Sequence, residues 1–465
     1  MSMPASDEDV RTPAHTAPDG YGLSEEQVDQ VRAAVHEGDV PSLENVAETL
    51  HAADLADLVE TLSPDERESM FGQLGVAFDP EALAYVAPPV RQEVLDHIGP
   101  RGLASALSDL ESDDAVDIFE DLDPEYQQRI LTQLPEGYRL ILEEAINFPD
   151  ESAGRLMQRE AAVIPIGWTV GETIDFMRSA VNLPPDFYDL FVVDPKHKPQ
   201  GIVPISRVLR SKRATPIQEV METDLKTISY AMDQEDVAYL FRQYGLVSAP
   251  VVDDANRVIG QITVDDIVHV IDEEAEDDLM KLGGVGESDL YGRLLETTRS
   301  RATWLVVNLG TAVLASIVIG LFEATLQQAV ALAVLMPIVA SMGGNAGTQT
   351  LTVAVRAIAM KDLKPTNAMR FIGKEVTVGL FNGMIFAVLT GGVTWVWFGR
   401  ADIGVIIGVA MIINMIIAGL SGTLVPITLE KLKIDPAVAS AVFLTTITDV
   451  VGFLAFLGLA ALFIL

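Results

Sequence analysis

The stretch LTTITDVVGF, residues 444–453, sets one carboxylate, Asp449, inside about thirty otherwise uncharged residues, 436–465. A run of that length exceeds the roughly 20 residues that a spanning helix needs. An aspartate near a bilayer centre costs on the order of 3 kcal/mol even on a lenient insertion scale, so its side chain must face protein, water or a cation. Thr445 and Thr448 precede it on nearby faces and Gly452 follows about one turn on, which makes that side of the helix polar and narrow. Two readings stand: hydrogen-bonded packing glue, with the threonines bonding back to their own helix, or a carboxylate held by a passing cation. No basic residue except Arg356 falls near a span interior, so an ion pair is a poor explanation and the cation is the better partner.

Four more apolar stretches precede this one, at 302–322, 327–359, 376–398 and 403–429. The loops on one side carry Arg299, Arg301, Arg356, Lys361, Lys364, Arg370, Lys374, Lys431 and Lys433, and the other side has only Arg400. Positive charge stays in the cytoplasm, so everything before the first span is expected there and the C-terminus outside. The second span contains PIVASMGGNAGTQTLT (337–352), with Pro337, Gly343, Gly344 and Gly347 beside Asn345, Thr348 and Gln349. Gly343 and Gly347 alone spell close helix packing. With three amide or hydroxyl side chains beside them they suit a water-filled path, where irregular backbone is tolerated at membrane depth. The fourth span adds Asn414, Gly419, Gly422 and Pro426. The spans hold no His or Cys, and oxygen-only surroundings suit Mg2+, Ca2+ or Mn2+ rather than Zn2+ or Cu+.

Charge divides the chain as sharply as hydropathy does. Residues 1–295 carry 59 Asp+Glu against 21 Lys+Arg, and residues 296–465 carry 8 against 10, which together give the net −36. Such a front excludes nucleic acid and favours cations, although solubilising or salt-adapted acidity gives the same count. No cysteine is present, hence no disulfide and no thiolate metal site. Residues 1–22 lack the basic and apolar regions of a secretory signal and are expected to be a disordered tail. Residues 23–159 repeat apolar positions at spacings of three and four between LSPDE, LESDD and LDPEY turns, which predicts an all-α superhelix. Residues 189–209 and 248–268 align at a constant offset of 59, Val193 with Val252 and Gly201 with Gly260, each a strand, a turn, a strand and a helix.

That repeat, within 160–272, resembles a tandem pair of cystathionine-β-synthase-type (CBS) modules. In GQITVDD, Thr263 and Asp266 match the pattern in which such modules contact a ribose of ATP or another adenine nucleotide; the same spacing is also a plain capping box. The first copy has Pro204 and Arg207 at those places and is not expected to bind that way. The order of parts completes the picture: an acidic α-helical N-domain, an α/β CBS pair, an acidic connecting helix over 273–301 and five spans over 302–465 bearing PIVASMGGNAGTQT and TTITDVVG. This resembles the MgtE family of magnesium transporters or channels. The resemblance implies a homodimer in the bilayer of the plasma membrane whose spans enclose one pore, with Asp449 as the central ion-site residue, Asn345 in the matching Gly/Asn motif, and Thr445, Thr448 and Gln349 beside them. It further implies regulatory Mg2+ held by acids that map to Asp113, Asp117, Asp233, Glu235, Asp266, Glu274, Asp277 and Asp278. Here His269 stands in the connecting helix where an acid would fit, and Thr348 where family members often have Asn. Like charges one turn apart, as in Asp113/Asp117 and Glu274/Asp278, repel unless a cation bridges them.

Three functions are distinguished. The first is a Mg2+ channel or facilitated transporter closed by its own substrate. The second is a proton-coupled secondary carrier of divalent cations such as Co2+ or Mn2+, against which stands the expectation that no second carboxylate lies within a span. The third is a membrane-anchored Mg2+ sensor that conducts nothing, against which stands the cost of Asp449. No nucleophile-and-base arrangement or phosphate loop suggests an enzyme.

Overall fold

The computed structural model describes residues 22–74, 78–180, 183–184, 186–285 and 294–464. Of the expected tail over 1–22 all but the last residue, and residues 286–293 of the expected connecting helix, lie outside them. The chain forms two compact units that part between Ile271 and Asp272.

The first unit begins with short helices, α1 (Glu25–Glu37), α2 (Val40–Thr49), α3 (Ala52–Thr61), α4 (Pro64–Leu74), α5 (Ala82–Tyr85), α6 (Pro88–Asp109), α7 (Ser112–Glu120), α8 (Pro124–Leu131), α9 (Glu136–Ala145) and α10 (Ala153–Leu156). The capping residues stop and start them: Ser24 and Gln27 form a capping box on α1, and Asp39 caps α2. Within α6 the chain breaks at Gly99 (φ 73°), just before Pro100, because proline cannot continue the preceding turn. One face of each helix turns inward, and Leu55, Leu58, Leu83, Leu95, Leu107 and Phe119 are fully shielded. Each such side chain contributes about 1.5–3 kcal/mol of burial.

Two small α/β modules follow. The first has β1 (Val163–Pro165), α11 (Val170–Ser179), β2 (Asp189–Val193), β3 (Pro199–Pro204), α12 (Ile205–Arg210) and α13 (Ile217–Val220). The second has β4 (Ile228–Ser229), α14 (Gln234–Tyr244), β5 (Ser248–Val252), β6 (Val258–Thr263) and the start of α15 (Val264–Gly283). Both sheets run in order with a parallel then an antiparallel pair, and both bulge at the same step, Val192/Val193 and Val251/Val252. Gly201 and Gly260 are glycines for one reason. A Cβ would lie 2.6 Å from the Glu222 carbonyl oxygen in the first module and 2.5 Å from that of Gln158 in the second. The helical front therefore ends before residue 159: Ala153 and Met157 belong to the core of the second module.

In the second unit, α15 continues without interruption to Gly283 and turns at Gly284 (φ 69°). Beyond it lie α16 (Leu294–Gly320), α17 (Glu323–Gln328), α18 (Val330–Ala359), α19 (Ala368–Phe398), α20 (Ala401–Lys431) and α21 (Pro436–Ile464). Five of these are long and apolar enough to cross a membrane. Glycines let α19 and α20 approach closely: a Cβ on Gly379 would meet the Met415 carbonyl at 2.5 Å and one on Gly419 the Glu375 carbonyl at 2.7 Å. The third span starts at Ala368, earlier than its hydropathy suggests, and so includes Glu375.

Candidate ion pathway and its regulatory acids

Helix α18 has two unlike faces. Gly343 and Gly347 are buried, whereas Ser341, Asn345, Thr348, Gln349 and Thr352 are exposed along one stripe of helical period. Thr348 and Thr352 return their hydroxyl protons to the carbonyls of Gly344 and Thr348. That leaves the Asn345 and Gln349 amides and the hydroxyl lone pairs facing outward. Hydrocarbon cannot satisfy such a stripe, so water or another polypeptide must.

Opposite the stripe, α18 meets α21 in an antiparallel register. Gly343 and Gly452 flank the same Asn414 side chain, and Gly347 abuts Leu444. These two contacts bracket Asn345 at the level of Thr448 and Asp449. Thr445 and Thr448 bond back to their own helix, at 3.0 Å to Ala441 and 3.1 Å to Leu444, and Thr448 is fully buried. Asp449 is half-buried, and its carboxylate makes no hydrogen bond or ion pair with any described residue. Of the two readings of this helix, back-bonding accounts for the threonines and leaves Asp449 without a protein partner. A second carboxylate, Glu375, is buried on α19 and accepts from Thr350 Oγ1 at 3.1 Å.

In the first unit, α7 and the start of α15 form an acidic seam. Asp113 is 7 % exposed with both carboxylate oxygens lacking a hydrogen-bond partner. Burial, then the Asp266 charge, hold its carboxyl well above the usual range. Burial, then Asp114, push Glu111 to about 7. Burial, then Asp117, push Asp114 to about 6, and burial, then Asp265, push Asp266 to about 7. Four carboxyls raised together form a surplus of negative charge that a cation would relieve. Among the described residues, however, no three carboxylates or histidines stand close enough to form a ready ligand set.

Comparison with known proteins gives the family. Residues 336–459 match a family described as divalent cation transporter, MgtE, residues 50–151 the MgtE intracellular N domain and 217–273 the CBS domain. The chain is 31% identical to the magnesium transporter MgtE of Thermus thermophilus over 95% of this chain and 99% of that one. The chain belongs to the MgtE family. It is also 27% identical to MgtE of Bacillus subtilis, over 92% of this chain and 96% of that one. Among solved structures, the cytosolic domain of the Mg2+ channel MgtE in complex with ATP is similar, with 30% identity and a TM-score of 0.49, covering 52% of this chain and 99% of that one.

The acids that the MgtE resemblance singles out are not all placed alike. Asp113 and Asp266 meet in the seam, but Asp117 is drawn away by Arg91 at 2.7 Å, which also holds Asp121. Asp233 caps α14 through the amide of Glu235. Thr263 donates its hydroxyl to the Asp266 carboxylate at 2.9 Å. His269 rests edge-on against Tyr85 with ring centroids 5.7 Å apart. In the second unit, Lys281 pairs with Asp277 on its own helix and at 2.9 Å with Asp435 at the start of α21. Burial, then Asp435, raise the neighbouring Asp278. Glu274 lies one turn before Asp278 on the same helix. Leu282 beside them packs on Leu351, Val355, Ala437 and Leu444, in the C-terminal part of α18 and the N-terminal part of α21. Asp435 and Glu375 were missed in the sequence. Asp435 sits in a short KLKIDP loop that reads as a plain helix cap, and Glu375 in a stretch that reads as loop.

Proposed function

We propose that this protein is one subunit of a homodimeric channel that passes Mg2+ down its electrochemical gradient across the plasma membrane and is closed by cytosolic Mg2+. The observation that carries the reading is the unpartnered Asp449 carboxylate of α21, set at the level of the exposed polar stripe that α18 carries on its opposite face. Two copies facing one another through these stripes would line a wet path, with Asn345 and Gln349 as oxygen donors at the level of Asp449. Mg2+ keeps several of its waters, so a wide site with one carboxylate per subunit suits it better than a dry cage.

Gating follows from the seam. A divalent ion at Asp113 and Asp266 would hold α7 against α15, while its loss leaves carboxylates that repel. Through α15 the change would reach Leu282 and the Lys281–Asp435 pair at the inner ends of the pore helices. The orphaned Asp113 oxygens are what such an ion fits; Glu111 and Asp114 stand nearby. An adenine nucleotide at the CBS pair is part of the proposal, and its arrival would have to break the Thr263–Asp266 bond. The basic loops support an orientation with the N-terminal domains in the cytoplasm and the C-terminus outside.

The test is Mg2+ flux into liposomes while the concentration on the cytosolic face is varied. Flux that falls as that concentration rises supports the reading, and flux indifferent to it removes the gating half. Buried Glu375 gives a second reading, proton-coupled carriage, a specific basis. Currents that follow the pH gradient, and lose that dependence in Glu375→Gln, would favour it. A protein that conducts nothing would be the membrane-anchored sensor.

A further inference from the structure

The ends of α18 and α19 that carry the basic loop, residues 360–367, line an open cavity of about 460 Å3 that the ion pathway does not use. Its lining joins the apolar Ala357, Leu363 and Phe371 to the charged Asp362, Arg370 and Lys374. We propose that this cavity binds the phosphate headgroup of an anionic phospholipid.

The cavity is shaped by the loop itself. Lys361 adopts a left-handed conformation (φ 54°), which turns the chain off α18 and lets the Leu363 amide donate to the Ala357 carbonyl at 2.9 Å. Asn367 then clamps the loop, accepting from the Lys364 amide at 2.7 Å and donating to the Asp362 carbonyl at 2.8 Å.

Its charge is available. Arg370 and Lys374 lie one turn apart on α19, both exposed. Arg370 has no ion pair with any described residue. Lys374 has only Glu375 Oε1 at 3.6 Å, and the other oxygen of Glu375 is occupied by Thr350. Across residues 356–375 five basic side chains outnumber Asp362 and Glu375. Basic pockets between spanning helices on the cytoplasmic side are the sites that suit anionic headgroups. Further along α19 from Arg370 and Lys374 the surface is apolar and exposed, with Val378, Phe381 and Ile385 uncovered. A free phosphate would meet the charged side chains and leave that surface bare, whereas a phospholipid covers both with one molecule.

The test is native mass spectrometry of the full chain in detergent, titrated with phosphatidylglycerol or phosphatidylcholine. The expected result is saturable binding of phosphatidylglycerol in preference to phosphatidylcholine, weakened about tenfold to thirtyfold in Arg370→Ala/Lys374→Ala, since each surface cation is worth about 1 kcal/mol. Arg370→Lys/Lys374→Arg should keep it, as should Lys431→Ala/Lys433→Ala, which removes two charges from the other basic loop. Three results would overturn the proposal: equal loss in both alanine pairs, which is general surface attraction; full displacement by millimolar inorganic phosphate, which is a free-anion site; and efficient cross-linking of Met369→Cys between two copies free of lipid, which makes the cavity a subunit interface.

Discussion

Asn414 of α20 donates from Nδ2 to the carbonyl of Val339 on α18 at 2.8 Å, and its Oδ1 is buried with no hydrogen-bond partner. The amide is gripped between Gly343 and Gly452, where an added Cβ would lie 2.2 and 2.9 Å from Nδ2. Asn414 thus pins three helices at the level of the polar stripe.

Gly343→Ala and Gly452→Ala should therefore overpack this joint. Overpacking costs about 1–3 kcal/mol, which for a unit of this size lowers the thermal midpoint by roughly 2–4 °C per kcal/mol. Gly344→Ala, where nothing lies within 4 Å of the new methyl, should leave the midpoint unchanged. Melting curves of the three variants in detergent give the comparison.

Acid should stabilise the metal-free first unit. Glu111, Asp113, Asp114 and Asp266 all bind protons more tightly folded than unfolded. The stability they permit is complete below their unfolded values near 4 and is lost as pH rises through 6 to 7. In chelator, protease resistance of residues 23–271 should fall between pH 5 and pH 8. Adding Mg2+ at pH 8 should restore it, because the cation does the proton's work. An unchanged digestion pattern across that range would show that the seam carries no strain.

Asp113→Asn removes a buried charge whose oxygens lack partners. Without metal the variant should be at least as resistant to protease as the wild type, since an unpaired buried charge costs far more than an amide. With Mg2+ it should gain much less protection, and its flux should no longer be inhibited at the concentration that closes the wild type.

Lys281→Met should loosen the contact between the end of α15 and the start of α21. Lys281 is about one-third exposed, so its pair with Asp435 is worth on the order of 1 kcal/mol or less. The concentration of Mg2+ that half-inhibits flux should rise a few-fold, with flux at low Mg2+ unchanged.

Which parts of this were legible in the sequence follows from what each signal depends on. The CBS repeat shows because β-branched strands recur at a fixed offset, and the structure reproduces it down to matched bulges at Val192/Val193 and Val251/Val252. The five spans show because length and hydropathy are local. Glu375 does not show, since MRFIGKEV reads as a polar loop until Gly419 and Thr350 close over it. Asp117 lies one turn from Asp113 as the helical period requires, yet Arg91, 26 residues away, decides its partner. Asn414 was visible as a polar residue in an apolar run, but its position between two glycines of other helices is a tertiary fact.

The central claim is that hydrated divalent cation neutralises Asp449, and it is tested most directly by Mg2+ uptake into liposomes holding Asp449→Asn beside the wild type at equal protein density. The substitution keeps size and polarity and removes only the charge. Uptake should drop at least tenfold while the melting temperature holds or rises, since the unpaired carboxylate is gone. Uptake equal to the wild type would mean that the pathway runs elsewhere and that this carboxylate has no part in ion recognition.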